Sequence, residues 1–241
     1  MSIKLLQWNV WYKEDPNNVI KQLKEIDADI LCLQELTIGS SLHSKVDVVQ
    51  LVKDELGYEV YFKDMVTGND GAQANAIFSK YPIKDSKFIW INEPAGSGGY
   101  DDEYRCYIEV DIVIGGKKLT VGTTHMSYMH RFEETERKLL ESNKLIDQIK
   151  NKESYVFTGD LNVAPDSKTI KIISDVLKNA GPIYSEPTWT TKPFSYDGFK
   201  AETLDWRLDY AFSSTDINVK KASVISTDYS DHLPILIEIG H

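Results

Sequence analysis

Ser230-Asp231-His232-Leu233-Pro234 stands between two apolar runs of strand length, Val224-Ile225-Ser226-Thr227 before it and Ile235-Leu236-Ile237 after it. The stretch reads as a short loop holding a carboxylate beside an imidazole between two strands. Such loops are where a rigid scaffold presents reactive groups. An Asp-His pair alone also suits a cap or a solvated turn. Repetition turns the reading toward a site. Asn9 ends Ile3-Lys4-Leu5-Leu6-Gln7-Trp8, Glu35 ends Ile30-Leu31-Cys32-Leu33-Gln34, and Asp160 and Asn162 follow Tyr155-Val156-Phe157-Thr158-Gly159. Each lead-in is short, apolar and β-prone, as a buried strand is. Several polar groups at strand ends predict one convergent site.

Working outward, the pattern predicts strands at 3–9, 30–35, 58–63, 73–79, 85–91, 104–114, 118–126, 155–159, 205–213, 217–227 and 234–239. Helices are predicted at 16–27, 46–56, 133–150 and 168–179. Asp15-Pro16 reads as an N-cap with proline at the first helical position. In 133–150, Leu139, Leu140, Leu145, Ile146 and Ile149 form a helical stripe among charges. The run of strands from 73 to 126 suggests antiparallel neighbours, too many for a simple doubly wound sheet. Two packed mixed β-sheets flanked by helices account for the whole pattern, an α/β fold. With no Pro/Gly/Ser linker or composition break, residues 1–241 are expected to form a single domain. Gly96-Ser97-Gly98-Gly99 reads as a surface loop.

The formal charge is −10 over 241 residues, and only four of the 27 basic residues are arginines. That excludes the basic footprint of a broad grip on duplex DNA, but not binding of a nucleic acid end or a small phosphate ester. Cys32 and Cys106 lie in apolar runs and read as buried free thiols. No charged leader with an apolar core opens the sequence, and no apolar run reaches membrane-spanning length. The expectation is a cytoplasmic protein without membrane insertion, most simply a monomer.

At this point the motifs resemble a family. Gln7-Trp8-Asn9, Leu33-Gln34-Glu35, Thr124-His125, Gly159-Asp160-Leu161-Asn162, Arg207-Leu208-Asp209-Tyr210 and Ser230-Asp231-His232 resemble, in order, the motifs of the endonuclease/exonuclease/phosphatase (DNase I-like) superfamily. The resemblance implies a four-layer α/β sandwich and metal-dependent hydrolysis of a phosphoester, usually with Mg²⁺, for which Mn²⁺ substitutes. Thr-His-Met-Ser stands where the abasic endonucleases carry Tyr-x-Pro-Asn. The chain is in that respect nearer the tyrosyl-DNA phosphodiesterase, sphingomyelinase and deadenylase branches.

The chemistry then distributes over named residues. Glu35 is the first metal-ligand candidate, since Mg²⁺ takes one or two protein carboxylates and keeps several waters. Asn9 either orients Glu35 or sits by the metal, and Asp231 adds a second ligand. Asp160 suits the acceptor of a proton from the attacking water, with Asn162 holding that carboxylate or the water. His232 either donates to a phosphate oxygen or acts as the base. The resemblance assigns Asp209 to orient His232 and makes His125 a second phosphate-binding imidazole. Arg105 and Asn75 are candidates for binding a substrate phosphate, with a surface ion pair the equal alternative for Arg105. Trp189 and Tyr100 are candidates for stacking on a base, a tyrosyl ring or a headgroup, although for Trp189 a packing role is the favoured reading. The leading expectation is a phosphodiesterase, or nuclease, acting at a nucleic acid end, including a 5′-phosphotyrosyl adduct. The alternatives are a phosphatase or phospholipase C-type enzyme on a small or lipid phosphate, and an inactive binding module on the same scaffold.

Overall fold

The computed structural model describes residues 2–66, 70–96 and 102–240. Its first half runs β1 (Ser2–Asn9), α1 (Pro16–Ile26), β2 (Ile30–Ile38), α2 (Val48–Leu56), β3 (Glu59–Val66), β4 (Ala72–Ser79), β5 (Ile83–Asn92) and β6 (Arg105–Ile114). There follow β7 (Lys117–His125), α3 (Glu136–Ile149), β8 (Tyr155–Asp160), α4 (Lys168–Ser174), β9 (Lys178–Asn179), β10 (Phe194–Tyr196), β11 (Phe199–Ala201), β12 (Asp209–Ser213), β13 (Asn218–Val224) and β14 (Ile235–Gly240). One six-stranded sheet has the order β13-β14-β1-β2-β4-β3 and the other β5-β6-β7-β8-β12-β9. Both are mixed: β1 and β2 pair in parallel, as do β7 and β8, among antiparallel neighbours.

Three apolar clusters define four layers. Ile3, Leu5, Cys32, Ile108, Val121 and Ile237 pack between the sheets. Leu6, Trp8 and Leu31 face α1 and α2 through Val19, Leu23 and Val49. Tyr155, Phe157 and Phe212 face α3 and α4 through Leu145, Ile149 and Ile173. The strand period of two explains it: Leu5 points into the sandwich, while Leu6 points out to a helix. Cys32 and Cys106 are free and buried in this core, and burial pushes both thiols up to about 12.

The helices start where the sequence signals. Asp15 caps α1 by accepting from the Asn17 N–H, with Pro16 at the first helical position, and Asp47 caps α2 through the Gln50 N–H. Such caps contribute about 1 kcal/mol each. The predicted helix 168–179 ends early, at Ser174, because Lys178 and Asn179 leave to pair with β12. A small β10–β11 hairpin, unforeseen in the sequence, stands outside the sheets.

Helix α3 departs most from its predicted face. Leu140 is 58% exposed, whereas Lys138, Glu141, Ser142, Leu145 and Ile149 are buried. Lys138 Nζ donates to the carbonyls of Ser127 (2.5 Å) and Leu161 (3.0 Å), and Glu141 accepts the Ser127 N–H. A lysine in a helical stripe reads as solvated; here the loops after β7 and β8 fold over it and supply oxygen partners. Burial lowers its pKa to about 8, against the opposing pull of Glu141 and Asp160.

Candidate active site

The central strands of both sheets end at the same edge. In the first sheet Asn9 pairs with Gln34. In the second, Asp160 lies between His125 on β7 and Asp209 on β12. Local chain geometry aims the groups. Strand β2 does not stop at Glu35: a bulge between Leu33 and Leu36 breaks its register, and Glu35 takes a left-handed φ of 64°. A bulge re-aims a side chain in this way. A Cβ on Gly159 would stand 2.5 Å from the Thr124 carbonyl oxygen, so only glycine allows the close β7–β8 approach just before Asp160.

His232 Nδ1 lies 2.8 Å from Asp209 Oδ2. That bond fixes the ring and leaves Nε2 facing Asp160 Oδ2 at 3.6 Å. Burial disfavours the imidazolium, but Asp209, Asp160 and Asp231 outweigh it and hold the His232 pKa well above its usual value. Asp160 accepts from the Asn162 N–H on Oδ1 (3.0 Å) and from Asn9 Nδ2 on Oδ2 (3.0 Å). Burial raises its pKa, His232 opposes the shift, and Asp209 adds to it. Asp160, Asp209 and His232 offer ligand-type atoms within 4.8 Å of one another. With Asp209 on Nδ1, Nε2 is the ring nitrogen left to face Asp160, and the surrounding carboxylates favour a proton on the ring.

Asn9 binds both carboxylates through its nitrogen: Nδ2 donates to Glu35 (2.9 Å) and Asp160, while Oδ1 accepts from the Trp11 N–H (3.0 Å). These bonds suit the orienting one of its two expected roles, and Oδ1 keeps a second lone pair. Glu35 also accepts the Tyr12 N–H at 3.0 Å. Asp231 accepts from the Trp189 indole through Oδ2 (3.1 Å), and its buried Oδ1 has no hydrogen-bond partner among the described residues. Burial raises the Asp231 pKa, against His232 and with repulsion from Glu35.

His125 Nδ1 receives Arg105 at 3.2 Å, and since guanidinium only donates, the neutral ring carries its proton on Nε2, 3.5 Å from Asp160 Oδ2. Burial, Arg105 and His232 all hold His125 well below its usual pKa. Beneath the site, Gln7 and Gln34 bond each other and, through Thr123, link the sheets; Gln7 also reaches Asp209 at 3.4 Å. The two glutamines stood inside the quoted motifs, but no sequence signal gave their cross-sheet partner.

These groups line a cleft of about 540 Å³: Glu35, Asp160, Asn162, Asp231 and His232, the ion-paired Arg105 and Glu103, and an aromatic group of Tyr128, Phe132, Phe194 and Tyr196. Several substrate-binding expectations change. Asn75 is fully buried and donates across the sandwich to the Cys106 carbonyl, which places it behind the cleft surface. Arg105 reaches the cleft but is 6% exposed and bonded to Glu103 Oε2 at 2.6 Å. Trp189 is 4% exposed, with Phe132 and Phe194 rings at 5.1 and 5.2 Å, so it packs and holds Asp231 rather than offering a stacking face. Tyr100 lies outside the described residues. Arg207 donates to four backbone carbonyls, including that of Asp209, and leaves the Asp209 carboxylate to His232 and Gln7.

One expected result tests the dyad. Asp209→Asn lowers the His232 pKa in metal-free protein, because the charge favouring the imidazolium is gone while burial still disfavours it. A raised folded-state value gives stability that is full below the ordinary 6.5 and fades as pH rises through the folded value. The variant therefore loses stability mainly on the acid side. An NMR titration reads the shift, and an unmoved His232 resonance makes Asp209 purely structural.

The comparisons agree with this geometry. An exodeoxyribonuclease of Bacillus subtilis (strain 168) is 27% identical over 277 residues, covering 99% of this chain and all of its own. TDP2 from D. rerio, solved with a single-strand DNA product, superposes with a TM-score of 0.73 at 17% identity, covering 100% of this chain and 99% of its own. A mannosyl-6-phosphatase of Bacteroides thetaiotaomicron gives 0.72 at 17% identity, covering 99% of this chain and 100% of its own. At such identity the two structures show a shared fold. The profile of the Endonuclease/Exonuclease/phosphatase family matches residues 6–232, a span that starts just before Gln7 and ends on His232 and so takes in every strand end that meets at the cleft. The chain belongs to that family of phosphoester hydrolases.

Proposed function

We propose that the protein, acting as one domain, is a divalent-metal-dependent phosphodiesterase that hydrolyses a phosphoester bond at a nucleic acid end. The observation that carries the reading is the pairing of two separate devices in one cleft: a proton-handling Asp209–His232–Asp160 cluster, and the carboxylates Glu35 and Asp231 beside it. Glu35 and Asp231 repel each other, and Asp231 Oδ1 is buried without a partner among the described residues. This donor set is all oxygen and suits Mg²⁺ or Mn²⁺. Glu35 and Asp231 would hold the ion, which supplies charge neutralisation at the phosphoryl oxygens when bound.

The chain's own groups do the rest. Asn9 and the Asn162 N–H fix both oxygens of Asp160, which takes the proton of the attacking water. Asp209 holds His232 so that Nε2–H meets developing charge on a phosphate oxygen, a donor already in place when the charge appears. Asn162 and His125 border the same space. The cleft's aromatic side, Tyr128 and the hairpin residues Phe194 and Tyr196, supports an end-binding slot over a long duplex track.

The test is a panel of 5′-tyrosyl DNA, closed circular plasmid, oligo(A), sphingomyelin and inositol phosphates. The expected result is turnover of a nucleic acid end, with log KM varying against log salt at a slope of magnitude about 1–3, since few phosphates are neutralised. Efficient nicking of closed plasmid at physiological salt, or a steep slope, refutes end recognition. Turnover of only a lipid or inositol phosphate replaces this reading with the phosphatase or phospholipase C alternative.

A further inference from the structure

The cleft carries few permanent cations for a phosphate site, and one of them is already answered. Arg105 and Lys13 line it, against the carboxylates of Glu35, Asp160, Asp231 and Glu103. Glu35, Asp160 and Asp231 have work in the reading above. Glu103 has none. Its Oε2 lies 2.6 Å from Arg105 NH2, while Arg105 NH1 is bonded to His125 and the buried Arg105 Nε has no hydrogen-bond partner among the described residues. Arg105 is thus a buried guanidinium with donors to spare whose charge is cancelled by a carboxylate on the same cleft wall.

We propose that Glu103 is a specificity-determining residue that favours a singly charged phosphodiester over a doubly charged phosphomonoester. The inference rests on the phosphoesterase reading and narrows its substrate class. Arg105 still offers hydrogen bonds to a phosphoryl oxygen, so recognition of the group survives. What Glu103 removes is excess positive charge. A diester brings one negative charge, which the remaining positive groups match. A monoester brings a second, which meets the Glu103 carboxylate beside an Arg105 already paired with it. Coulomb energy in a half-enclosed cleft makes one uncompensated charge at this range worth about tenfold or more in affinity after screening.

The experiment uses full-length protein with Mg²⁺ at pH 8, where p-nitrophenyl phosphate is a dianion and bis(p-nitrophenyl) phosphate a monoanion. In Glu103→Gln, which keeps a hydrogen-bond acceptor for Arg105 but loses the charge, the diester-to-monoester ratio of kcat/KM falls about tenfold, mainly through a lower KM for the monoester. Glu103→Asp keeps the charge and keeps the ratio near the wild-type value. An unchanged ratio in Glu103→Gln, or equal ratios in the two variants, overturns the proposal. Calorimetric titration separates its failure from that of the parent reading. Inorganic phosphate binds Glu103→Gln about tenfold tighter than wild type, whereas dimethyl phosphate gains little, whether or not either ester is turned over. Equal gains for both anions, or none, also overturn it.

Discussion

Asp160→Asn and His232→Ala each lower kcat by about 10²–10⁴-fold, the usual range for a lost acid–base group. The geometry explains why both matter. Asp160 is 1% exposed, with one oxygen on the Asn162 N–H and the other on Asn9 Nδ2. An asparagine there is near isosteric and keeps the fold, but it cannot take a proton, and it places an NH₂ or a non-basic oxygen against donors. His232→Ala removes the Nε2 donor and also strands Asp209, whose Oδ2 loses its 2.8 Å partner inside the protein. Leaving a buried acceptor unsatisfied costs about 1–3 kcal/mol, so this variant is also less stable, whereas in Asp160→Asn the donor-to-donor contact is offset by removal of a carboxylate that burial and Asp209 disfavour. The two lesions act on one proton-handling unit, and the double variant is expected to be little worse than the more damaged single one. Steady-state kinetics beside a melting curve separate the two effects. Wild-type turnover in either variant places the chemistry elsewhere.

The second large effect is metal removal. EDTA abolishes activity, and Mg²⁺ or Mn²⁺ restores it. The donors are the reason: Glu35 and Asp231 are carboxylates that repel each other, the buried Asp231 Oδ1 has no partner among the described residues, and both cysteines are buried in the sheet core. A zinc site of Cys and His would resist brief chelation; an oxygen site for Mg²⁺ does not. Binding also has a readout apart from turnover. An ion that binds the folded state alone raises Tm by mass action, so Mg²⁺ stabilises the wild type and stabilises Glu35→Gln and Asp231→Asn less. Full activity after exhaustive chelation removes the metal from the account, and an undiminished Mg²⁺ shift in both variants moves its site away from these carboxylates.

The sequence by itself determined the architecture and the floor of the site. Alternating apolar runs such as Ile3–Trp8 and Tyr155–Gly159 are local signals, because a strand's two faces are written in its own period, and they specified two covered sheets. The polar residues that stop those runs, Asn9, Asp160 and Asp209, had to lie near one edge once the strands paired in register. Asp209 opposite Asp160 is such a case: two residues distant in sequence become partners through strand pairing.

Tertiary structure decided what depends on a partner from elsewhere in the chain. Glu35 looked like a strand terminus, but the strand continues to Ile38, and a bulge set by β4 aims the side chain. Lys138 sits in a charged stretch, and only the folding of the Ser127 and Leu161 loops over α3 makes a lysine tolerable there. Trp189 offered a stacking ring in the sequence; the β10–β11 hairpin covers it with Phe194 and turns its indole to Asp231. Arg105 read equally as a phosphate ligand or an ion-pair partner, and the fold supplies the partner, Glu103, two residues back. Periodicity and strand ends are properties of a segment, whereas burial of a charge, or the partner that cancels it, is a property of the assembled surface and appears only when distant segments meet.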